Sequence, residues 1–407
     1  MPNNLPLNWC MKSFKDSFVS ISPTYKIKQK EYKDSGSYPI IDQGESFIGG
    51  YTDSTEGLIY DVPLIAFGDH TRRFKYIDFP FIAGADGLKV YKPIYTEIKF
   101  SYYQCLSLDF PNRGYSRHNA FLQKCDFKIP PFAEQERIVE KIEALFQDID
   151  EGVERLKLAQ AQIKQYRQSV LKSAFEGKLY KTTDWKEVPL KKVCEFKSGN
   201  TIDTKLEKSS GSIPYIKVGD MNLSENSISI VTSSRFVDMV DIKQNQLIPT
   251  GSVIFPKRGG AIATNKKRKV IKPIIIDLNT MAIIPSDKLY TDFFYFWILK
   301  IDLMKLSNGG NIPQINNYSF DKVNIPLPTL LEQQRIVEEI EKRFLVADEL
   351  EKAVNEGLEK ADKLKQSILK KAFEGKLAPQ NPNDEPASVL LDRIKASKQP
   401  QSKGKKK

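Results

Sequence analysis

From Ile138 onward, apolar and small residues return mostly at steps of three and four: Ile142, Leu145, Ile149, Gly152, Leu156, Ala159, Ile163, Tyr166 and Val170. Glu, Lys, Gln and Arg fill most of the places between them. That spacing keeps one narrow stripe apolar and predicts a long helix. The pattern returns in Ile336, Ile340, Ala347, Leu350, Val354, Ala361, Leu364 and Ile368, with Arg343 interrupting it. Each predicted helix starts after a proline-containing stretch and stops near Gly177 or Gly375, residues suited to a C-cap. About 44 residues at a 1.5 Å rise make a rod of roughly 65 Å. So narrow a seam needs a partner, and the two rods are expected to pair as an antiparallel coiled coil. Gly152 and Gly357 lower helix propensity and are expected to mark close approach of another helix.

The two rods are copies. Pro130-Pro131-Phe132-Ala133-Glu134-Gln135-Glu136-Arg137-Ile138-Val139-Glu140 recurs as Pro328-Thr329-Leu330-Leu331-Glu332-Gln333-Gln334-Arg335-Ile336-Val337-Glu338. Gln168-Ser169-Val170-Leu171-Lys172 recurs as Gln366-Ser367-Ile368-Leu369-Lys370, and Ala174-Phe175-Glu176-Gly177-Lys178-Leu179 recurs unchanged from Ala372 to Leu377. The offset is 198 throughout, so the copies have equal length.

The segments before each rod are fainter copies. Leu64-Ile65-Ala66-Phe67, followed by polar residues, parallels Ser252-Val253-Ile254-Phe255 followed by Pro256-Lys257-Arg258. Tyr95-Thr96 opens an aromatic-rich helix, as Tyr290-Thr291 does later. Short strands such as Val253 to Phe255 and Pro273 to Ile276 indicate a mixed α/β domain. The expected order is a domain over 1–128, a rod over 129–179, a domain over 180–324 and a rod over 325–377. A loop, a short amphipathic helix around Val389, Leu390, Leu391 and Ile394, and a lysine-rich flexible tail fill 378–407.

Composition narrows the function. Net charge is +11, with 21 Lys and Arg against 14 Asp and Glu in residues 180–325. Lys257-Arg258 and Lys266-Lys267-Arg268-Lys269 concentrate it, which points to a polyanionic partner such as nucleic acid. Four cysteines without a CxxC pair and two histidines leave little material for a zinc site or a disulfide scaffold. No apolar run reaches the roughly 20 residues of a membrane span, and the first residues hold no export signal core, so a cytoplasmic protein is expected.

Catalytic constellations are missing. There is no GxxxxGK[ST] phosphate loop, and neither His70 nor His118 sits in a metal or nucleophile spacing. Glu97-Ile98-Lys99 has the ExK form of many nucleases, but no Pro-Asp pair precedes it. Ile129-Pro130-Pro131-Phe132 approaches the Asn/Asp-Pro-Pro-Tyr/Phe loop of amino-methyltransferases, yet Ile129 replaces the amine-binding residue.

Ile325-Pro326-Leu327-Pro328 through Glu332-Gln333-Gln334-Arg335-Ile336-Val337, with its partner around Ile129, resembles the repeated framework of type I restriction–modification specificity subunits. Phe-Glu-Gly-Lys-Leu at 175–179 and 373–377 is similar to that family, as is the stretch from Pro379 to Leu391. Tyr38 to Gly44 with Phe67 to Arg72 resembles one class of target recognition domain, and Ile213 to Asp220 another. The resemblance implies an α+β chain with two target recognition domains separated by a long antiparallel two-helix coiled coil, a pseudo-twofold internal repeat. It also implies double-stranded DNA as ligand, two modification (methyltransferase) subunits as partners, and restriction (motor-nuclease) subunits beside them. S-adenosylmethionine, ATP and magnesium would belong to those partners, leaving this chain non-catalytic.

Two unlike domains on a repeated frame suit an asymmetric two-part target with half-sites about a helical turn apart. Base reading needs Arg, Lys, Asn or Gln at groove edges, with other cations on phosphates. Candidates in the first domain are Gln43, His70, Thr71, Arg72, Arg73, Arg113, Arg117 and Asn119. Those in the second are Lys217, Asp220, Lys257, Arg258, Asn265, Lys266, Lys267, Arg268, Asn311, Gln314 and Asn317. Partner and coiled-coil contacts are assigned to Glu134, Gln135, Arg137, Ile138, Ile142, Phe175, Glu332, Gln333, Arg335, Ile336, Ile340 and Phe373. The competing readings are a stand-alone nuclease or methyltransferase with an unrecognised active site, and a helical scaffold that binds nucleic acid nonspecifically.

Overall fold

The computed structural model describes residues 5–85, 87–111, 117–179 and 185–398. Arg113 and the lysine-rich tail from Lys403 lie outside the described residues. The first part of the chain forms β1 (Cys10–Ser13), α1 (Phe14–Ser17), β2 (Phe18–Ile21), β3 (Tyr38–Ile41), β4 (Gly50–Thr52) and β5 (Leu64–Gly68). Next come β6 (Phe74–Ile77), β7 (Ile82–Ala83), β8 (Leu88–Pro93), α2 (Ile98–Leu106), α3 (Asn119–Leu122), β9 (Asp126–Ile129) and the long helix α4 (Phe132–Phe175). The second part forms β10 (Lys186–Pro189), β11 (Cys194–Ser198), β12 (Ile213–Ile216), β13 (Ser229–Ile230), β14 (Phe236–Val237) and β15 (Val253–Pro256). It continues through β16 (Arg268–Val270), β17 (Ile275–Ile276), β18 (Thr280–Pro285), α5 (Thr291–Leu299), α6 (Leu303–Leu306) and β19 (Asn324–Leu327). The second long helix α7 (Leu330–Phe373) and the short α8 (Ala387–Lys398) follow.

The chain divides into two compact units, Met1–Leu156 with Asn355–Lys407, and Lys157–Val354. Each unit holds one end of each long helix. In the first, Ile138 and Ile142 near the start of α4 pack with Ile368, Leu369, Ala372 and Phe373 at the end of α7. In the second, Val170, Leu171, Ala174 and Phe175 at the end of α4 share a core with Ile336, Val337 and Ile340 of α7. Start against end is antiparallel pairing, as the seam requires.

In the first unit a four-stranded sheet runs β2-β8-β5-β6, a three-stranded sheet runs β4-β3-β7, and β1 pairs with β9 in a separate ribbon. In the second unit the sheets run β11-β18-β15-β16-β13 and β14-β12-β17, with a β10-β19 ribbon. The registers coincide. Phe18 faces Pro93 and Ile65 faces both Tyr76 and Tyr91; Cys194 faces Pro285 and Val253 faces both Lys269 and Ile283. The parallel pairing of Ile41 with Ala83 is matched by that of Ile216 with Ile276. Duplication therefore runs through the sheets and not only the rods. The added edge strand β13 is particular to the second unit among the described residues.

Both long helices are 44 residues long. Their C-caps are the expected glycines: Gly177 and Gly375 have φ of 71° and 70°. Lys178 N–H donates to Ser173 O at 2.9 Å and Lys376 N–H to Lys371 O at 2.8 Å, the six-to-one bond of a Schellman cap. The two interior glycines part company. A Cβ on Gly357 would sit 3.0 Å from Leu156 Cδ1, whereas one on Gly152 would meet nothing within 4 Å. Only Gly357 marks a close approach.

The seam on α7 also differs from the sequence reading. Leu350 and Leu364 are each 52% exposed, while Ala347, Val354 and Ile368 are buried. Glu351 and Lys365 stand half-buried beside them. The physical reason is cross-helix pairing: Arg167 donates to Glu351 at 2.8 Å and to Asp348 at 2.6 Å, and its guanidinium lies 5.3 Å from the Phe344 ring centroid. In the first unit Lys365 donates to Asp150 at 2.5 Å and lies 5.1 Å from the Phe146 ring. Arg167, Phe344 and Asp348 correspond through the 198-residue offset to Lys365, Phe146 and Asp150. Long cationic stems cover the ring and leave their heads wet, so a polar pair takes a seam place that letter-by-letter hydrophobicity gave to leucine.

Candidate nucleic-acid interface

The framework motif is largely internal. Gln135 and Gln333 are fully buried. Gln135 accepts from Glu97 N–H at 2.7 Å and donates to Pro130 O at 2.9 Å. Gln333 accepts from Tyr290 N–H at 2.7 Å and donates to Lys288 O and Pro328 O, each at 3.0 Å. Each glutamine thus ties the start of an aromatic helix, α2 or α5, to its rod. Phe373 and Phe175 meet those helices again, stacking edge-on against Phe100 at 5.3 Å and Phe293 at 5.2 Å. Ile138, Ile142, Ile336 and Ile340 are core residues.

Other framework residues diverge. Glu134 is buried and accepts from Trp9 Nε1 at 3.0 Å, and burial raises its carboxyl pKa. Glu332 instead is half-buried and takes Thr329 N–H at 2.9 Å in a capping box. Arg137 pairs with Asp384 at 2.5 Å, which docks the segment leading to α8. Arg335 lies on the first turns of α7, one residue before buried Ile336. The ExK tripeptide is structural too: Glu97 caps α2 through Phe100 N–H, and Lys99 pairs with Glu143 at 2.7 Å.

In the first unit, three candidate segments converge. Gln43 accepts from His70 N–H at 3.2 Å through its side chain, and its carbonyl accepts from Thr71 Oγ1 at 2.6 Å. Buried Asp69 takes His118 N–H at 2.8 Å and Asn119 N–H at 2.7 Å on one carboxylate oxygen. Asn119 Oδ1 accepts the Tyr91 hydroxyl at 2.6 Å. Gln43, Thr71 and Asn119 are thereby committed to holding the turn together. Arg72, at φ 62°, and Arg117 remain exposed at its edge. Arg73 is exposed and pairs with Glu45 at 2.7 Å.

In the second unit the candidates form two groups. The segment that holds Lys217 and Asp220 meets the 265–268 segment at its far end: Lys266 donates to Asn222 Oδ1, and Arg268 Nη2 donates to Met221 O at 3.1 Å. Lys257, Arg258 and the 311–317 loop meet through Gly259 N–H to Pro313 O and Ile315 N–H to Lys257 O, both 2.8 Å. Arg258, Asn311 and Asn317 are exposed, with Gln314 half-buried between them.

The basic run is mostly turned inward, contrary to its expected role as one exposed patch. Lys267 is 2% exposed. Its ammonium donates to Ile301 O at 2.7 Å and to Asn265 Oδ1 at 2.9 Å, and burial pushes its pKa down to about 8. Asn265 also takes Leu303 N–H at 3.0 Å, so it too is a structural residue. Arg268 Nε is buried, and desolvation lowers the guanidinium pKa. Asp220, also buried, accepts Lys217 N–H at 2.8 Å and Ser234 N–H at 2.9 Å. Lys217 pairs with Glu207 at 2.7 Å, and Lys257 donates to Ser198 at 3.0 Å. Lys266 and Arg258 are the cations of the two groups best placed to meet a phosphate.

Sequence reasoning missed Asp69, Lys75 and Asn226. Asn226 is buried with all its bonding capacity used, donating to Asp220 O and Thr232 O and accepting from Val231 and Thr232 N–H. A lysine inside the strand Phe74-Lys75-Tyr76-Ile77 was the one legible signal for Lys75.

The type I restriction modification DNA specificity domain model matches residues 6–158 and 182–360. The EcoR124I/EcoR124II specificity subunit of Escherichia coli is 27% identical over 84% of this chain and 87% of its own length. The EcoKI specificity subunit of Escherichia coli strain K12 is 28% identical over 66% of this chain and 63% of its own. A chain solved in a study of complex assembly and conformational transition of the type I R-M system superposes with a TM-score of 0.70 at 19% identity, covering 92% of this chain and 100% of that one. Two copies of one sheet framework, two equal antiparallel helices and a family match over both copies place the chain in the type I restriction modification DNA specificity domain family.

Proposed function

We propose that this chain is the specificity subunit of a type I restriction–modification complex and reads an asymmetric, two-part DNA sequence. Each unit carries one reader. The observation that carries the reading is the contrast between frame and loops. The glutamine ties to α2 and α5 engage main-chain atoms at their starts in both copies. The connections between β3 and β4 and between β12 and β14 span residues 42–49 and 217–235, the second with β13 inside it, and share neither length nor sequence. A constant frame with variable loops is how two different half-sites are read by one chain. The chain itself carries no catalytic step in this reading. Methyl transfer and cleavage, with S-adenosylmethionine, ATP and magnesium, belong to two modification subunits and to restriction subunits that it directs to the target. Mapping methylated bases in host DNA with and without the chain tests this: a two-part motif should disappear with it, and an unchanged methylome would refute the reading.

The exposed Arg258 and the half-buried Lys266 should act through phosphates. Arg258→Ala and Lys266→Ala are each expected to weaken binding of all duplexes alike and to lower the salt slope by about one. Lys267→Met should leave that slope unchanged and lower the melting temperature, because it strands Ile301 O and frees Asn265. Binding titrations across a salt series, alongside thermal melts, distinguish the two behaviours.

A further inference from the structure

A buried cation and a half-buried one occupy the same place in the two units. Lys75 on β6 lies opposite Ala66 of β5, and Arg268 on β16 lies opposite Ile254 of β15. Ala66 and Ile254 correspond, since their other neighbours are Val90 of β8 and Ala282 of β18. Each cation reaches the loop that leaves the central strand of the smaller sheet. Lys75 Nζ donates to Asp42 O and Ser46 O, both at 2.7 Å. Arg268 Nη2 donates to Met221 O at 3.1 Å, with Nη1 on Lys267 O at 3.0 Å. Ser46 and Met221 stand at the same step, five residues beyond the matched strand ends Ile41 and Ile216.

The cost of this arrangement argues for a purpose. Lys75 is 5% exposed, and Arg268 has its Nε buried without a partner among the described residues. A cation sunk against carbonyl oxygens is expensive even where, as at Lys75, a carboxylate (Asp42, 3.7 Å) stands beside it, and an apolar side chain of similar size would fill either strand position more cheaply. What the cation adds is a fixed carbonyl. The connections beyond it differ, the second being longer and carrying β13, yet both are gripped at the same step.

We propose that Lys75 and Arg268 are positioning residues that set the sequence discrimination of the 42–46 and 217–222 loops without touching DNA. This rests on the reading above, in which those loops face a half-site each. It reassigns Arg268 from a DNA contact to a support.

The test uses the full chain assembled with its methyltransferase partner, and competition between the mapped target and duplexes with single base-pair changes in either half. Lys75→Met is expected to reduce discrimination about tenfold in one half, a large share of a mismatch cost of about 1–3 kcal/mol. Discrimination in the other half and the salt slope should both stay unchanged. Arg268→Met should do the same in the other half. Lys75→Arg and Arg268→Lys should restore discrimination, and Lys75→Gln, which keeps a donor, serves if the methionine variant does not fold. A double Glu45→Ala, Ser46→Ala variant is the control for the loop itself. If that variant alters discrimination and Lys75→Met and Lys75→Gln do not, the positioning role is wrong. If the loop variant changes nothing, the loop is not a reader, and the underlying assignment fails instead. A salt slope lowered by about one in Arg268→Met would make Arg268 a phosphate contact and overturn its part of the proposal.

Discussion

Replacing Gln333 by leucine is expected to destabilise its unit by about 3 kcal/mol or more, and to lower the corresponding melting transition by about 6–12 °C. The side chain is fully buried and makes three bonds, from Tyr290 N–H and to Lys288 O and Pro328 O. Leucine fills the space but leaves one donor and two acceptors without partners, each costing about 1–3 kcal/mol where water cannot reach. A unit of this size shifts by roughly 2–4 °C per kcal/mol. Gln333→Glu should also destabilise: it keeps an acceptor for Tyr290 but turns a carboxylate on two carbonyl oxygens. Glu332→Ala, one residue away, removes only a helix-capping side chain and should cost about 1 kcal/mol. Thermal melts of the three variants decide it. Equal, small losses for positions 332 and 333 would mean that the repeated Glu-Gln pair is a surface feature.

The same glutamine explains what was legible in the sequence. The rods were visible because a step of three and four persists through two copies of equal length, and the copies share side chains that do one job twice. Gln135 and Gln333 recur because they bind main chain, so the residues they hold at Glu97 and Tyr290 are free to differ. The sheets were faint for the converse reason. Their matched positions require only apolar bulk facing inward, so Leu64 to Phe67 and Ser252 to Phe255 share pattern more than identity, and only the ladders bring out the common register. The ribbons β1-β9 and β10-β19 join residues far apart in the chain and carry no local signal.

The candidate site was legible by segment and not by residue. Composition located the excess charge around Lys257 and Lys266 but could not say which heads face inward. Two of the three residues in Lys266-Lys267-Arg268 spend their donors on carbonyls, and strand pairing at Arg268 fixes that outcome. The seam failed at Leu350 and Leu364 because a lysine or arginine stem can serve as apolar surface when an acid across the helix pair takes its head. Both errors come from treating a cation as solvent-facing by default.

Exchange of one reader is expected to rewrite one part of the target and leave the other alone. The natural boundaries are set by the ribbon: β10 pairs with β19 from Lys186 opposite Leu327 to Pro189 opposite Asn324. A segment that carries both strands brings its own closed base and leaves α4 and α7 intact. The joint should tolerate a foreign domain, because Gln333 reaches into the segment only for Tyr290 N–H, which any residue but proline supplies, and Lys288 O, which every residue supplies. Phe175 makes the more demanding contact, with Phe293 at 5.2 Å, so the donor should carry an aromatic residue there. Each base pair of the old half-site that mismatches the new reader should cost about 1–3 kcal/mol, which abolishes use of the original target. The untouched half-site should read as before. The reciprocal exchange of Cys10–Ile129, bounded by the β1-β9 ribbon, should change only the other half. Mapping methylated bases in a host carrying each hybrid gives the answer. A hybrid that folds and methylates a sequence altered in both halves would show that the readers are not independent, and the frame-and-loop account would then be wrong.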